Sequence, residues 1–459
     1  MKSICTFVLS RASVAALFLS GAGMAAAQEP PAPVAAPSAR DGQQGALAAS
    51  AVIRLTLEDA LARARKNSTQ FQSAQTDAAI ARQDRYQAAA ALLPTVTYNN
   101  QAIFTQLHQG NVTFIANNGA HEYISQANAH ESIDLVSISA FRRAASAAAV
   151  AKAKAEIASR GLVVTVVQSY YAVATAQLKL EAAKKTGDEG DRFLKLTQDL
   201  ENGGEVAHSD VIKAELQMQE RHRQLLEAQL GLLNARLDFA VLIFPDFNDN
   251  FELAENLHAS VPLPTLAEVQ QRAARDNPDL RAALASVQQA GHDVTGARGG
   301  YLPSLSFDYW YGIDAAQFAV NGPGGVSNLG SSAAATVNIP IWNWGATQSR
   351  IKQAQLRRTQ AQRELSLAQR KLLAEIKSLY AEADTALNEL SGLSRSAELS
   401  AESLRLTTLR YKGGEATVLE VVDAQNTFAQ ASVAYQDGAV RYRVALANLQ
   451  TLTGVLTTP

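Results

Sequence analysis

The sequence predicts a mainly α-helical fold with a small β part, built from long antiparallel coiled-coil helices and four β-strands per chain. Three patterns in its 459 residues lead to this prediction. Apolar residues recur at helical spacing over long stretches, and four shorter stretches alternate apolar with polar residues. The chain also repeats itself: Gly203-Gly204-Glu205 returns as Gly413-Gly414-Glu415, and Leu93-Pro94 returns as Leu302-Pro303. Such a duplication predicts two copies of one structural unit.

The N-terminus is typical of an exported protein. Residues 1–27 combine the positive charges of Lys2 and Arg11 with a short apolar run and an Ala-Ala-Ala cleavage site, which predicts a signal peptide. Residues 28–50 are rich in proline and alanine and predict a disordered leader. Cys5, the only cysteine, precedes the apolar run, so we expect a thiol-free mature chain.

Composition narrows the class of protein. The net charge of −2 argues against a nucleic-acid binder, and no nucleophile–base pair, phosphate loop or cofactor motif stands out. Alanine is abundant and aromatic residues make up only 6% of the chain. This balance favours helices that pack closely through small side chains.

Both predicted repeats have the same plan. The first covers 51–255, with a β-hairpin at about 95–138 and a long helical hairpin whose tip lies at about 200–206. The second covers 256–459, with a β-hairpin at about 304–341 and a helical tip at about 411–416. Glycines 187 and 190 are expected to interrupt the long helix of the first repeat, whereas no proline interrupts that of the second.

The predicted strands have one apolar and one polar face. In the clearest strand, Leu305 to Ile313 alternate with polar residues, and in the first repeat Ile133 and Leu135 share one face of a weaker strand. The pattern fits a half-buried soluble hairpin or a membrane-barrel strand with a polar lumen. Trp310, Trp342 and Trp344 are expected at the strand ends, as in an interfacial aromatic belt.

The number of strands predicts an oligomer. Four strands cannot close a barrel, and open sheet edges are not tolerated in a bilayer. Three chains would supply twelve strands and a water-filled lumen, whereas the eight strands of a dimer would leave little lumen. We therefore expect a homotrimer that forms a 12-stranded transmembrane β-barrel.

Several motifs resemble those of the TolC-like outer-membrane efflux channels. They are an opening Leu-Thr-Leu-Glu-Asp-Ala-Leu (55–61), a Leu-Pro before each hairpin, Asn-Ile-Pro-Ile-Trp-Asn-Trp-Gly (338–345), and Tyr-Lys-Gly-Gly-Glu (411–415) followed by Val-Leu-Glu-Val-Val-Asp-Ala-Gln (418–425). The resemblance covers essentially the whole mature chain.

That resemblance implies a passive export conduit in the cell outer membrane, with a helical tunnel in the periplasm. Its implied partners are a periplasmic adaptor protein and an inner-membrane transporter, besides outer-membrane lipid. It implies no enzyme activity, cofactor or metal. Small-molecule efflux and type I protein secretion both remain open, and the rival outside the channel class is a periplasmic coiled-coil adaptor or structural protein.

Glu420 and Asp423 are the candidate gate residues. They lie three apart and therefore on one helix face. In a trimer they would form two rings of carboxylates, whose clustering would raise their pKa values and attract cations. By resemblance this is the periplasmic constriction, and the alternative is an ordinary solvated acidic face.

Other tip residues are assigned by resemblance. Tyr411, Ser209 and Asp210 match positions that latch adjacent helical hairpins, although Ala416 stands where a relative carries an arginine. The turns at Gly203-Gly204 and Gly413-Gly414 are expected to meet the adaptor. The histidines at 108, 121 and 130 match no ligand spacing, so no metal site is expected.

Overall fold

The computed structural model describes residues 53–104, 121–246, 250–254 and 262–456. The predicted signal peptide and leader, and His108, lie outside this part of the chain. The first repeat contains these elements: β1 (Ile53–Leu55), α1 (Leu57–Asn67), α2 (Thr69–Ala90), β2 (Thr95–Phe104), β3 (His121–Ile133), α3 (Leu135–Asn202), α4 (His208–Ile243) and β4 (Phe251–Leu253). The second repeat contains these elements: α5 (Leu266–Asp276), α6 (Pro278–Gly299), β5 (Ser304–Ala315), β6 (Leu329–Asn338), α7 (Ala346–Lys412) and α8 (Val418–Thr453).

Corresponding helices of the two repeats have matching lengths. Helices α1 and α5 are both 11 residues long, α2 and α6 are both 22, and α4 and α8 are both 36. Local capping sets where the short helices begin. The Thr56 hydroxyl accepts from the Asp59 backbone N–H, and the Asn277 side chain accepts from the Leu280 N–H directly before Pro278.

The four long strands form one antiparallel sheet in the order β2-β3-β5-β6. Register places Tyr98 opposite Ala127, Ala127 opposite Tyr311 and Tyr311 opposite Ser331. One face of the sheet is therefore mainly apolar and the other mainly polar, as the alternation predicts. Leu135 does not belong to β3, because the Asp134 carboxylate accepts from the Ser137 N–H (2.6 Å) and starts α3 there.

A second sheet, of two short parallel strands, was not predicted. Strand β1 pairs with β4, with Ile53 opposite Phe251. The pair lies over the largest apolar core, where the Tyr170 ring contacts Phe239 (centroids 5.8 Å apart) and the Tyr170 hydroxyl donates to the Leu55 carbonyl (3.4 Å). This core joins the beginning of the first repeat to its end.

Helices α3 and α7 are the two long elements of the chain. They contain 68 and 67 residues, so each is about 100 Å long. The expected interruption of α3 at Gly187 and Gly190 was wrong, since the helix continues through both. Gly190 is buried, and a Cβ there would lie 3.6 Å from Arg221 Cγ, so its small size serves close packing with α4.

One stretch of α3 is apolar and long enough to cross a membrane by composition alone. Within α3, however, Val163, Val166 and Val167 are fully buried in the apolar core against α4 and the small sheet. These contacts are those of a core helix in a helical bundle.

Helix α3 lies in the middle of the chain's helical layer. Its first half packs between α2 and α6, and its second half packs between α4 and α8. Helix α7 packs against α6 and α8 on the far side. One edge of the layer is thus formed by α2 and α4, the other by α7, just as β2 and β6 are the two edges of the sheet.

Candidate functional site

Each long helical hairpin turns through the same backbone motif. In the first turn the Glu205 N–H donates to the Leu200 carbonyl (2.9 Å), and Gly204 has a φ of 77°. The second turn repeats this geometry at Glu415 and at Gly414, whose φ is 76°. This is a Schellman motif, in which the left-handed residue is almost always glycine because a Cβ is strained there.

The first glycine of each pair is not required by the turn. Gly203 and Gly413 have φ values of −78° and −86°, which any residue can adopt. A Cβ at either position would meet no atom closer than 3.5 Å. Both glycines are exposed at the end of their helical hairpin. Because they have no side chain, the backbone itself forms the surface at these two positions.

Tyr411 is part of the core that joins the two tips within one chain. Its ring lies 5.4 Å from that of Phe193, and its hydroxyl donates to the Thr197 hydroxyl (3.4 Å), both on α3. Burial raises the pKa of Tyr411, and the nearby negative charge of Asp210 adds to the shift. Tyr411 therefore links α7 to α3, and its hydrogen bond goes to Thr197 rather than to Asp210.

Ser209 and Asp210 lie at the start of α4, close to the tip. Ser209 is exposed, and the Asp210 carboxylate accepts from the Lys213 ammonium at 3.0 Å. Asp210 and Lys213 precede Glu420 and Asp423 by 210 residues. The first repeat thus carries a neutral ion pair where the second carries two carboxylates.

Glu420 has a local structural role within the chain. Its backbone N–H donates to the Thr417 hydroxyl (3.3 Å), and its carboxylate accepts from the Thr417 N–H (3.1 Å). This reciprocal capping box starts α8. The two hydrogen bonds from Thr417, with a smaller effect of Arg410, lower the pKa of Glu420. The shift within one chain is therefore opposite to the increase expected from clustering in a trimer. Asp423 lies one turn further on and is exposed.

A buried polar cluster near the tip was missed by sequence reasoning. The Arg221 guanidinium on α4 donates to Asn426 Oδ1 on α8 (2.7 Å) and to Gln224 Oε1 (2.9 Å). Burial lowers the pKa of Arg221 and raises the pKa of Glu189 on α3, which lies within electrostatic reach. The cluster joins three helices from both repeats.

The sequence does contain a signal for this cluster. Core-facing positions of α4 follow the helical spacing Val211, Ala214 and Met218, and Arg221 occupies the next one. A charged residue at an apolar position of the period indicates a buried partner, because an unpaired buried charge is costly.

The three tryptophans do not lie together. Trp342 and Trp344 are 75% and 89% exposed at the junction from β6 to α7, with ring centroids 5.8 Å apart. Their position fits the expected aromatic belt. Trp310 differs: it is the seventh of twelve residues in β5, and it shares the polar face with Ser306 and Asp308. The prediction that Trp310 lies at a strand end was therefore wrong.

Two of the three histidines lie in the described chain. His121 stacks on Phe104 (4.4 Å), and His130 Nδ1 lies 2.7 Å from Asp308 Oδ1 across the β3–β5 pair. Within the described residues, no group of three or more His, Cys, Asp or Glu side chains could hold a metal ion.

Residues 269–455 match the family model described as "Outer membrane efflux protein". This part, which is less than half of the chain, is similar to outer membrane efflux proteins. The outer membrane protein OprJ of Pseudomonas aeruginosa is 25% identical over 172 residues, which cover 38% of this chain and 36% of that relative. TolC of Escherichia coli is 23% identical over 309 residues, covering 64% of this chain and 62% of TolC. These matches thus span less than two thirds of either relative.

Solved structures of efflux channels share the fold. The outer membrane channel CmeC of Campylobacter jejuni superposes with a TM-score of 0.75 at 17% identity, covering 87% of this chain and 85% of CmeC. The resemblance to TolC-like channels, the mainly helical fold with a small sheet, and the outer-membrane location are confirmed by these comparisons. The efflux family is one of channels rather than enzymes.

The backbone geometry of the tip turns predicts which glycine of each pair is required for stability. Gly414→Ala forces a Cβ into the left-handed region and should destabilise the protein by about 1–2 kcal/mol. Gly413→Ala is the matched control and should leave stability unchanged or slightly higher, because its backbone already suits alanine. Thermal unfolding of the purified variants, followed by helical circular dichroism, measures both. Equal destabilisation by the two substitutions would contradict the assigned turn geometry.

The Arg221–Asn426 contact is tested by a double-mutant cycle. Asn426→Leu removes an acceptor from a buried guanidinium and should cost about 1–3 kcal/mol. The double variant Arg221→Met with Asn426→Leu should lose less stability than the sum of the losses in the two single variants. The expected difference, which is the coupling energy, is about 0.5–3 kcal/mol. Arg223→Met, on the exposed face of the same helix, is the control and should show no coupling to Asn426→Leu. Additive effects for Arg221 would show that the contact does not join the helices.

Proposed function

We propose that three copies of this chain form a passive outer-membrane channel-tunnel, the exit duct of a tripartite system that exports small molecules. Its partners would be a periplasmic adaptor and an inner-membrane transporter that supplies the energy, and the chain itself would carry out no catalysis. The main support for this proposal is that the outermost strands and the outermost helices belong to the same two edges of the chain. Strand β2 and helix α4 of the first repeat form one edge, and strand β6 and helix α7 of the second repeat form the other.

The sheet edges need partners of a defined kind. In the described chain, β2 and β6 each pair with one neighbouring strand, which leaves one side of each with unpaired backbone groups. Such groups are not tolerated in hydrocarbon. Pairing β6 of one copy with β2 of the next would be a head-to-tail contact, and such contacts form a ring when the rotation between copies closes. Three copies give twelve strands with an aqueous lumen.

The helical edges carry apolar side chains that the single chain leaves exposed. On α4, Leu216 and Leu230 are 66% and 58% exposed, and on α7, Leu399 and Leu406 are 53% and 47% exposed. Helix α4 lies at the edge of the first repeat and α7 at the edge of the second. The same rotation that joins β6 to β2 would therefore bring α7 of one copy against α4 of the next and cover both sets.

At the tip, Glu420 and Asp423 would form the cation-attracting periplasmic gate. Gly203, Gly204, Gly413 and Gly414 would present the bare backbone to the adaptor, and the freedom of Gly203 and Gly413 from any turn requirement supports this. Ser209 and Asp210 would contribute to contacts between hairpins of neighbouring copies. Since Ala416 cannot form an ion pair, the closed state would depend instead on the Tyr411 core and on the Arg221–Asn426 contact.

The proposed trimer is tested by cross-linking at the helical edges. Leu216 and Leu406 both lie about two turns from the tip, on opposite edges of the chain. The predicted mature chain has no cysteine, so Leu216→Cys with Leu406→Cys introduces the only two thiols. A short bismaleimide should convert the double variant into covalent dimers and trimers. Each single variant is a matched control and should yield no trimer, and a double variant that behaves like the singles would contradict the ring.

The proposed gate is tested by ion selectivity in planar bilayers. Glu420→Ala with Asp423→Ala should reduce cation selectivity and block by divalent cations, because six carboxylates leave the narrowest part of the trimer. Glu205→Ala, an acidic residue beside the tip turn of the first repeat, is the control and should change selectivity less. Unchanged selectivity in the double variant would remove these residues from the gate.

The nature of the cargo is tested in the organism that encodes the chain. Deletion of its gene should increase the intracellular accumulation of a fluorescent drug, and the wild-type gene should restore export. Unchanged drug accumulation together with loss of a secreted protein would instead indicate type I secretion. No effect on either, with a mature chain that is soluble without detergent, would favour a periplasmic coiled-coil protein.

A further inference from the structure

Trp310 is a large aromatic side chain on the polar face of the sheet. The other residues in its cross-strand row have short polar side chains, namely Thr97, Asn128 and Ser332. Alternation along β5 puts Trp310 on the same face as Asp308 and Asp314, opposite Tyr309 and Tyr311. Because its neighbours in the row are short, the indole of Trp310 extends beyond them on the polar side of the sheet.

A patch without side chains lies beside this ring. Two residues along β5, Gly312 pairs with Gly330 of β6. A Cβ at Gly330 would meet no atom within 4 Å, so the space above it is open. A Cβ at Gly312 would lie 2.2 Å from the Ser125 carbonyl oxygen, so this position must be glycine for packing reasons. The patch is about 7 Å from Trp310 along the strand.

The surrounding charge favours cations. Asp308 lies two residues before Trp310 on the same face, and His130 Nδ1, 2.7 Å from its Oδ1, fixes the position of the carboxylate. Strands β2, β3, β5 and β6 contain no lysine or arginine, and register places three acidic residues, Glu122, Asp308 and Asp314, on the polar face. A lumen lined by one sign of charge attracts the opposite sign, and tryptophan is the best aromatic partner for a cation.

We propose that Trp310, the Gly312–Gly330 patch and Asp308 form a binding site for planar aromatic cations, one in each subunit. The indole would stack on the ligand over the glycine patch, and the carboxylate would lie near its positive charge. The inference rests on the proposed channel, in which the polar face borders the lumen, and it names the class of cargo that the barrel would bind during passage.

Fluorescence of Trp310 provides the direct test. The chain has three tryptophans, so Trp342→Phe with Trp344→Phe leaves Trp310 as the only indole. Ethidium, a planar aromatic cation, is titrated into the purified full-length mature protein in detergent. We expect saturable quenching of Trp310 fluorescence, and much weaker quenching by the anionic dye fluorescein.

Variants separate binding at this site from partition into detergent. In the same background, Asp308→Asn and Gly330→Leu should each weaken ethidium binding about two- to fivefold, the range of an exposed cation–aromatic contact. Glu398→Gln also removes one negative charge, from the exposed surface of α7 and far from the sheet, and should leave the quenching curve unchanged. Quenching that does not saturate, or that is insensitive to both Asp308→Asn and Gly330→Leu, would overturn the site.

Current recording on the same preparation distinguishes this inference from the proposed function. Ethidium should reduce the single-channel current, and Trp310→Leu should weaken that block about two- to fivefold. A normal current that ethidium blocks equally in both proteins would overturn the site and leave the channel intact. A monomeric protein without conductance would overturn both.

Discussion

Backbone hydrogen-bonding groups cannot remain unpaired in hydrocarbon, and this requirement determines how the sheet of the proposed channel must be completed. The described sheet stops at β2 on one side and β6 on the other, and the helical layer stops at the corresponding helices. The described chain therefore has an open sheet and an open helical layer, each with two free edges. In the proposed trimer, other copies would cover its exposed leucines and the unpaired sides of β2 and β6.

The duplication explains how one chain obtains matching edges. Both repeats contribute two long strands, one very long helix and one 36-residue helix, and the second repeat extends the wall of the first in the same order. The copies differ where specific chemistry is needed. Asp210 is neutralised by Lys213 in the first repeat, whereas in the second Arg410 pairs with Glu420 (3.5 Å) and Asp423 adds a further negative charge. Arg221 of the first repeat, in turn, requires Asn426 of the second.

Much of this architecture was predictable because it depends on local periodicity. Alternation identified β5 and β6, helical spacing identified α3 and α7, and the paired glycines identified the tips. The β1–β4 pair could not be predicted, since three-residue strands carry almost no pattern and their partners are about 200 residues apart. The role of Arg221 was missed because a charged residue at a core position was not weighed against the helical period.

The sequence also contained local patterns that indicate the observed positions of Glu420 and Trp310. Both residues had instead been assigned roles in the expected trimeric channel. Thr417 with Glu420 three residues later is the pattern of a capping box, so a local role for Glu420 competes with its expected role in a ring. The alternation of β5 already grouped Trp310 with Asp308 and Ser306, away from the apolar face. Grouping it with Trp342 and Trp344 by residue type alone obscured its position on the polar face.

We propose that the edges of this chain are satisfied only in a ring of copies around an aqueous pore. Single-channel recording in planar bilayers, combined with the mass of the same purified protein in detergent, tests this claim most directly. We expect a trimeric mass and discrete, cation-selective conductance steps. A monomeric mass together with the absence of any conductance would contradict it.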